Sequence, residues 1–123
     1  MKISLLSILF AGTLWLFLPP NAPVEWQSPN THDFGDLERG KPVTFVFSFR
    51  NTGPDSLYID NVRTACGCTS PEWADIRVAP DSLGHISIEY DADDSGYFNK
   101  WIKVYFNGYR KAEKLFIEGW VEQ

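Results

Sequence analysis

The stretch Val43-Thr44-Phe45-Val46-Phe47-Ser48-Phe49-Arg50 decides the fold of this chain. Every second residue from Val43 to Phe49 is apolar, and most of the residues between them are polar. Successive side chains of a β-strand point to opposite faces of the sheet, so this alternation places one face in a core and the other in solvent. The stretch therefore predicts a β-strand whose aromatic face is buried.

Shorter runs of the same kind recur along the chain, separated by turn residues. Strands are predicted at 57–62, 76–78, 86–90, 102–106 and 115–121, and a short strand or a turn at 32–35. Outside the first twenty residues, no window of helical length carries an apolar stripe with the helical period. About seven short strands in one domain are typical of an immunoglobulin-like β-sandwich, and a small β-barrel is the alternative.

Length and charge limit the kinds of protein that this chain can be. Its 123 residues are the size of a single domain. Eleven Lys and Arg residues stand against sixteen Asp and Glu residues, and the net charge of −5 argues against a nucleic-acid partner, because phosphates would repel an acidic surface. Two cysteines are too few for a fold built on disulfides.

The first twenty residues differ in character from the rest of the chain. Lys2 is their one charged side chain, and the sixteen residues from Ile3 to Leu18 carry no charge. A positive start before an apolar run is typical of a secretory signal. As a helix the run would span about 24 Å, at 1.5 Å per residue, which is short for a bilayer core of ~30 Å.

Residues 1–20 are therefore predicted to be an apolar leader helix, either a cleaved signal peptide or an uncleaved membrane anchor. An uncleaved leader is the one membrane contact that we expect. Residues 21–31 are interpreted as an extended lead-in and 32–123 as the sandwich domain. The domain is predicted to be exported to the periplasm, to the cell envelope or out of the cell.

Six motifs follow one another along the predicted domain. They are His32-Asp33-Phe34-Gly35, Phe47-Ser48-Phe49-Arg50-Asn51-Thr52-Gly53, Leu57-Tyr58-Ile59, Cys66-Gly67-Cys68-Thr69, Gly96-Tyr97-Phe98-Asn99-Lys100 and Ile117-Glu118-Gly119. In this order they resemble domain-of-unknown-function family 1573 over residues 32–121. The resemblance implies an immunoglobulin-like sandwich, similar to ciliary and periplasmic-chaperone domains, in an exported or envelope protein. It implies no enzyme activity, because none is established for the family.

Cys66 and Cys68 are the residues to which the sequence assigns chemistry. Residues i and i+2 of an extended chain point the same way, so the two sulfurs share a face. Three interpretations stay open: a structural disulfide or buried thiol pair, a Cu(I) site built on soft thiolates, and a redox-labile pair that exchanges disulfides. No other cofactor is expected. His32 and His85 are auxiliary candidates, since an imidazole near the sulfurs would assist metal binding or thiolate formation.

Three aromatic residues late in the chain suggest a contact surface. Trp101 and Tyr105 alternate with the apolar residues of one predicted strand, and Trp120 does so in the last strand, which places all three on the outer side of a sheet. Trp and Tyr are enriched at protein interfaces. The alternative is an ordinary strand surface with lysines guarding an edge.

The sequence also contains no nucleophile elbow and no paired carboxylates suited to acid–base catalysis. We therefore predict a non-enzymatic exported module that binds an envelope protein or has a structural role. The alternative function is thiol chemistry at Cys66 and Cys68, either Cu(I) binding or disulfide exchange.

Overall fold

The computed structural model describes residues 21–123, and the leader predicted at residues 1–20 lies outside them. The described part of the chain contains eight β-strands. In chain order they are β1 (Val24–Trp26), β2 (Thr31–Leu37), β3 (Val43–Asn51), β4 (Ile59–Thr64), β5 (Thr69–Trp73), β6 (Leu83–Tyr90), β7 (Gly96–Phe106) and β8 (Glu113–Val121). Among these residues there is no helix with the length and apolar character that spanning a bilayer requires.

The described strands form two four-stranded sheets. Sheet A has the strand order β1-β3-β6-β5, and sheet B has the order β2-β8-β7-β4. Neighbouring strands are antiparallel, except that β2 and β8 run parallel. The two sheets enclose one apolar core. This arrangement confirms the all-β, immunoglobulin-like sandwich that the alternation predicted.

The alternation along β3 buries the residues that the sequence placed in the core. Phe47 and Phe49 are 0% and 1% exposed, while Val46 on the other side of the strand is 49% exposed. Phe49 lies opposite Gly84 of β6, and a Cβ atom at Gly84 would overlap the Phe49 ring. Only glycine leaves room for that ring, so the aromatic core depends on this close approach.

The segment 21–31, interpreted from the sequence as an extended lead-in, contributes a strand to the sandwich. Within it, β1 pairs with β3 and places Trp26 opposite Phe49. The Trp26 ring packs edge-on against Phe47 and Phe49, with ring centroids 6.4 and 5.5 Å away. Three residues offer too little alternation to identify a strand, yet this one carries an aromatic side chain that extends the core.

The strand predicted at 76–78 is absent from the described residues, and the edge strand β5 lies before it instead. Ile76 is 63% exposed, and Val78 forms an isolated bridge with Leu57. β5 contains Pro71, which lacks the N–H group that a central strand needs and is tolerated because β5 is an edge of sheet A. Because a proline argues against a strand, the sequence did not predict β5.

A buried asparagine ties the end of β3 to two neighbouring loops. Asn51 is fully buried, and its side-chain NH₂ group donates to the carbonyl oxygens of Asp55 at 2.8 Å and Val78 at 2.9 Å. Its side-chain oxygen accepts from the backbone N–H of Gly53 at 2.9 Å. Because a buried polar group without a partner costs about 1–3 kcal/mol, these bonds hold both loops against the strand.

Replacing Asn51 with alanine should lower the free energy of unfolding by about 2–4 kcal/mol, because buried carbonyl groups lose their donors. Urea unfolding followed by tryptophan fluorescence measures the change. The control variant is Asn61→Ala, at an exposed position of β4, which should shift the free energy by no more than ~0.5 kcal/mol. Equal shifts in the two variants would contradict the role assigned to Asn51.

Candidate functional site

The two middle strands of sheet B, β7 and β8, present alternate side chains to solvent. Inward residues such as Ile102 and Leu115 are fully buried, and the residues between them point outward. The register places the outward residues of neighbouring strands side by side in rows. We call this surface the outer face of sheet B. Its members are Thr31, Asp33, Asp36, Asn61, Arg63, Tyr97, Asn99, Trp101, Lys103, Tyr105, Lys114, Phe116, Glu118 and Trp120.

Two rows at one end of this face are acidic and aromatic. The first row consists of Tyr97, Trp120 and Asp36, and the second of Asn99, Glu118 and Asp33. The Tyr97 hydroxyl donates to Glu118 Oε2 at 3.1 Å, and the Asn99 amide donates to the same oxygen at 3.3 Å. A shallow pocket of about 260 Å³ lies here, between the exposed rings of Tyr97 and Trp120.

The centre of the outer face is aromatic, and the row beyond it is basic. Trp101 lies opposite Phe116 in the central row. The basic row consists of Lys114, Lys103 and Arg63, side by side on β8, β7 and β4. Lys103 Nζ lies 4.7 Å from the centroid of the Trp101 ring, and the Arg63 guanidinium carbon lies 5.8 Å from that of Tyr105. These cation–π contacts hold both cations against the aromatic surface.

Trp101, Tyr105 and Trp120, the residues predicted to bind a partner, all belong to the outer face of sheet B. Their role in binding stays a prediction. The sequence indicated lysines in this region but placed them at an edge, whereas Lys103 and Lys114 lie on the middle strands. It missed Arg63, which joins their row through the pairing of β4 with β7, 40 positions before Lys103 in the chain. Part of the acidic rows could have been found from the sequence, because Glu118 is two residues before Trp120 and so lies on the same face of its strand.

Cys66 and Cys68 lie in the turn between β4 and β5 and are joined as a disulfide. Both residues are half-buried. The Thr69 hydroxyl oxygen lies 3.7 Å from Cys68 Sγ and 4.0 Å from Cys66 Sγ. The carbonyl oxygen of Cys68 accepts from the backbone N–H of Asp91 at 3.0 Å, which ties the turn to the end of β6. The sulfurs are therefore joined through a turn, and not through the extended chain that the sequence analysis assumed.

The two histidines lie away from the disulfide. The His32 ring stacks on Phe45 with centroids 3.7 Å apart, and its strand β2 is separated from β4 by two other strands. His85 is exposed on sheet A, where its Nδ1 lies 2.7 Å from the Ser48 hydroxyl oxygen. The disulfide end of β6 is at Tyr90, five residues from His85, or about 17 Å at 3.4 Å per residue. The structure therefore brings neither imidazole to the sulfurs.

No metal site is evident elsewhere in the part of the chain that the structure describes. Within residues 21–123, no group of three or more His, Cys, Asp or Glu side chains is arranged to hold a metal ion. The carboxylates of Asp33, Asp36 and Glu118 are thus neighbours in rows rather than a converging ligand set.

A larger groove, of about 930 Å³, lies at the edge of sheet A beside β5. Its lining includes Trp73, Ile76 and Leu83, and the last two are 63% and 48% exposed. Of the residues that the sequence selected, His85 contributes to this groove. The groove and the outer face of sheet B are two separate surfaces, because they share no residue.

The two packed sheets define an all-β sandwich with an immunoglobulin-like fold. The chain belongs to the family described as "Protein of unknown function (DUF1573)", whose model matches residues 24–121. The match begins at the first residue of β1, so the family domain includes that strand. No curated protein matches the chain significantly.

Solved structures with a similar fold come from organisms as different as human, a bacterium and a nematode. The ASH / PapD-like domain 7 of human CEP192 has a TM-score of 0.69 at 12% identity, covering 85% of this chain and 89% of that one. A protein of unknown function from Porphyromonas gingivalis W83 has 0.68 at 16% identity, covering 84% of this chain and 48% of that one. WR4, a C. elegans MSP family member, has 0.53 at 7% identity, covering 83% of this chain and 100% of that one. At these identities the likeness establishes the fold alone.

One titratable residue beside the disulfide turn has a shifted pKa. Tyr90 is 2% exposed, and its ring stacks on Phe98 with centroids 4.0 Å apart. Burial raises the pKa of the Tyr90 phenol above its usual value of 10.0. Three carboxylates in the following turn add to the rise, and they belong to Asp91, Asp94 and Asp93.

This shift should make the free energy of unfolding fall in alkaline solution. A phenol with a higher pKa in the folded than in the unfolded state stabilises the native protein fully below pH 10.0, and the contribution is lost as the pH rises through the folded-state pKa. Urea midpoints of the wild type should therefore decline more steeply above that pH than those of Tyr90→Phe. Parallel alkaline profiles for the two proteins would contradict the shift.

Proposed function

We propose that this chain is an exported, non-enzymatic protein-binding module of the cell envelope, with the outer face of sheet B as its contact surface. The observation that carries the proposal is the exposure of large aromatic rings. Tyr97 and Trp120 are 64% and 49% exposed and stand directly opposite one another on β7 and β8. Apolar surface left in water costs roughly 25 cal/mol per Å², and Trp and Tyr are enriched where partners cover them.

Export is supported by two independent features of the chain. The uncharged run from Ile3 to Leu18 follows Lys2, a pattern that directs the following domain across a membrane. The disulfide between Cys66 and Cys68 supports an oxidising compartment, because cytosolic thiols are kept reduced. The proposed location is the periplasm, the cell envelope or the medium, and an uncleaved leader would tether the domain to the membrane.

Site-specific photo-crosslinking in the native host tests the contact surface. A photoreactive phenylalanine at position 97 should form a discrete adduct with a protein partner. The matched control is the same group at position 89, where Glu89 is exposed on the outer side of sheet A. Adding Trp120→Ser should reduce the adduct at position 97 by about tenfold, because truncating a large aromatic contact beside it costs about 1.4 kcal/mol. Equal adducts at both positions, or none at position 97, would refute this surface.

A second candidate function is thiol chemistry at Cys66 and Cys68, and the observation that favours it is the size of the loop. The disulfide joins residues only two positions apart. Closing a loop of about three residues removes ~1.6 kcal/mol of chain entropy from the unfolded state, against ~4.7 kcal/mol for a hundred-residue loop. The folded protein therefore gains little from this bond and can open it without unfolding, which disulfide exchange and Cu(I) binding both require.

Equilibration in glutathione buffers of graded potential tests this second candidate. Two free thiols should appear while the protein stays folded, and the free energy of unfolding should fall by less than ~2 kcal/mol. If the site binds copper, the reduced protein should take up Cu(I) and the Cys68→Ser variant should not. Thiols that appear only when the protein unfolds would leave the disulfide with a structural role alone.

A further inference from the structure

We infer that the outer face of sheet B binds a second copy of this chain, with the two faces packed together and one of them turned end for end. The inference rests on the proposed function, since it names the partner of the same surface. It rests on the distribution of charge over that surface. This observation is separate from the exposure of the aromatic rings, which supports the proposed function.

The outer face carries opposite charges towards its two ends. The carboxylates belong to Asp33, Asp36 and Glu118, and the cations belong to Arg63, Lys103 and Lys114. None of these six groups takes part in an ion pair within the face. Among residues 21–123, the salt bridges are Lys41–Glu38 and Arg50–Asp81, which lie elsewhere. Three negative and three positive charges are therefore available to a partner.

The register also sets like charges directly beside one another. Asp33 lies opposite Glu118, and Lys103 lies between Lys114 and Arg63. Like charges directly opposite on neighbouring strands are destabilising. A partner that brings cations to the acidic rows and carboxylates to the basic row would relieve both repulsions.

The basic row and the acidic row that holds Glu118 lie symmetrically about the aromatic centre of the face. Along β8, Lys114 and Glu118 are each two residues from Phe116, or about 7 Å at 3.4 Å per residue. Consider a two-fold axis that lies between the two packed faces and runs parallel to the row of Trp101 and Phe116. Rotation about this axis reverses the direction of the strands in the second copy. It places Lys114 of one protomer against Glu118 of the partner subunit, and the reverse pair forms at the same time.

A second copy fits this surface better than a partner of one sign. A uniformly basic or uniformly acidic partner would be attracted to one end of the face and repelled by the other. The inverted copy sets Lys114 directly against Glu118 at both ends and brings each basic row over the acidic row that holds Glu118, as an isologous dimer requires. The rings of Trp101 and Phe116 then meet the same two rings of the partner at the centre, where charges are absent.

The face is small for a stable dimer interface. Four strands at ~4.8 Å spacing and the length of β7 from Tyr97 to Tyr105 give a rectangle of roughly 19 by 30 Å, near 600 Å² on each protomer. Stable interfaces bury about 800 Å² per partner, so a weak dimer is expected. The net charge of −5 on each chain opposes association further, which the charge pairing across the interface offsets.

Two charge-reversed variants test the inference. Lys103→Glu with Lys114→Glu leaves Arg63 as the remaining cation of the face, and Asp33→Lys with Glu118→Lys leaves Asp36 as its remaining carboxylate. Sedimentation analysis of the exported chain, from about 10 µM to 1 mM as a weak interface requires, should show a wild-type dimer. Each variant alone should need at least about tenfold higher concentration to dimerise, and an equimolar mixture of the two should form a heterodimer.

Matched controls separate the face from general charge effects and from misfolding. Lys41→Glu with Lys111→Glu reverses two exposed cations outside the face and should leave the dimer unchanged. Lys103→Gln with Lys114→Gln removes the charges without repulsion and should weaken the dimer by a smaller factor than the reversal does. Circular dichroism spectra matching the wild type establish that each variant is folded.

Three results would overturn the inference: a wild type that stays monomeric, a dimer that survives both reversals, and a mixture that forms no heterodimer. Photo-crosslinking at position 97 then tests the proposed function separately from the dimer. An adduct with a different protein, together with a monomeric wild type, would overturn the second copy and leave the binding module standing. Absence of both the dimer and the adduct would overturn both.

Discussion

The antiparallel pairing of β7 with β8 fixes the core and the functional surface of this protein together. It sets Ile102 opposite Leu115 on the inner side of sheet B and Trp101 opposite Phe116 on the outer side. Because side chains alternate with a period of two, a slip of one residue would expose the buried pair and bury the exposed pair. The burial of the inner side therefore holds the outer rows in register, and neither side can be changed without the other.

The same alternation made most of the fold predictable from sequence, and the exceptions have physical reasons. Phe47 and Phe49 identified β3 because one long strand repeats the pattern several times. β1 is too short to show a pattern, and Pro71 concealed β5, since a proline is acceptable only at a sheet edge. The parallel pairing of β2 with β8 joins residues from opposite ends of the domain, and so distant a contact leaves no local signal.

The candidate site was predictable where it depends on one strand and unpredictable where it depends on several. The sequence placed the two sulfurs together by assuming an extended chain, whereas the two cysteines lie in a turn. Trp101 and Tyr105 could be assigned to one face from their spacing. Asp36 could not, because an irregularity in β2 between Asp33 and Asp36, where Gly35 has a φ of +71°, returns Asp36 to the outer side. Strict alternation would have placed that carboxylate inward.

Contacts within the outer face of sheet B order its side chains before any partner arrives. Glu118 accepts hydrogen bonds from Tyr97 and Asn99, and Lys103 lies over the Trp101 ring. Immobilising a rotamer-rich side chain on binding costs about 0.5–1.5 kcal/mol, so groups that the fold already holds lose less. The ordered side chains also keep opposite charges at opposite ends of a small apolar centre. Such a surface selects its partner through charge complementarity, and it can be specific even though its area supports only modest affinity.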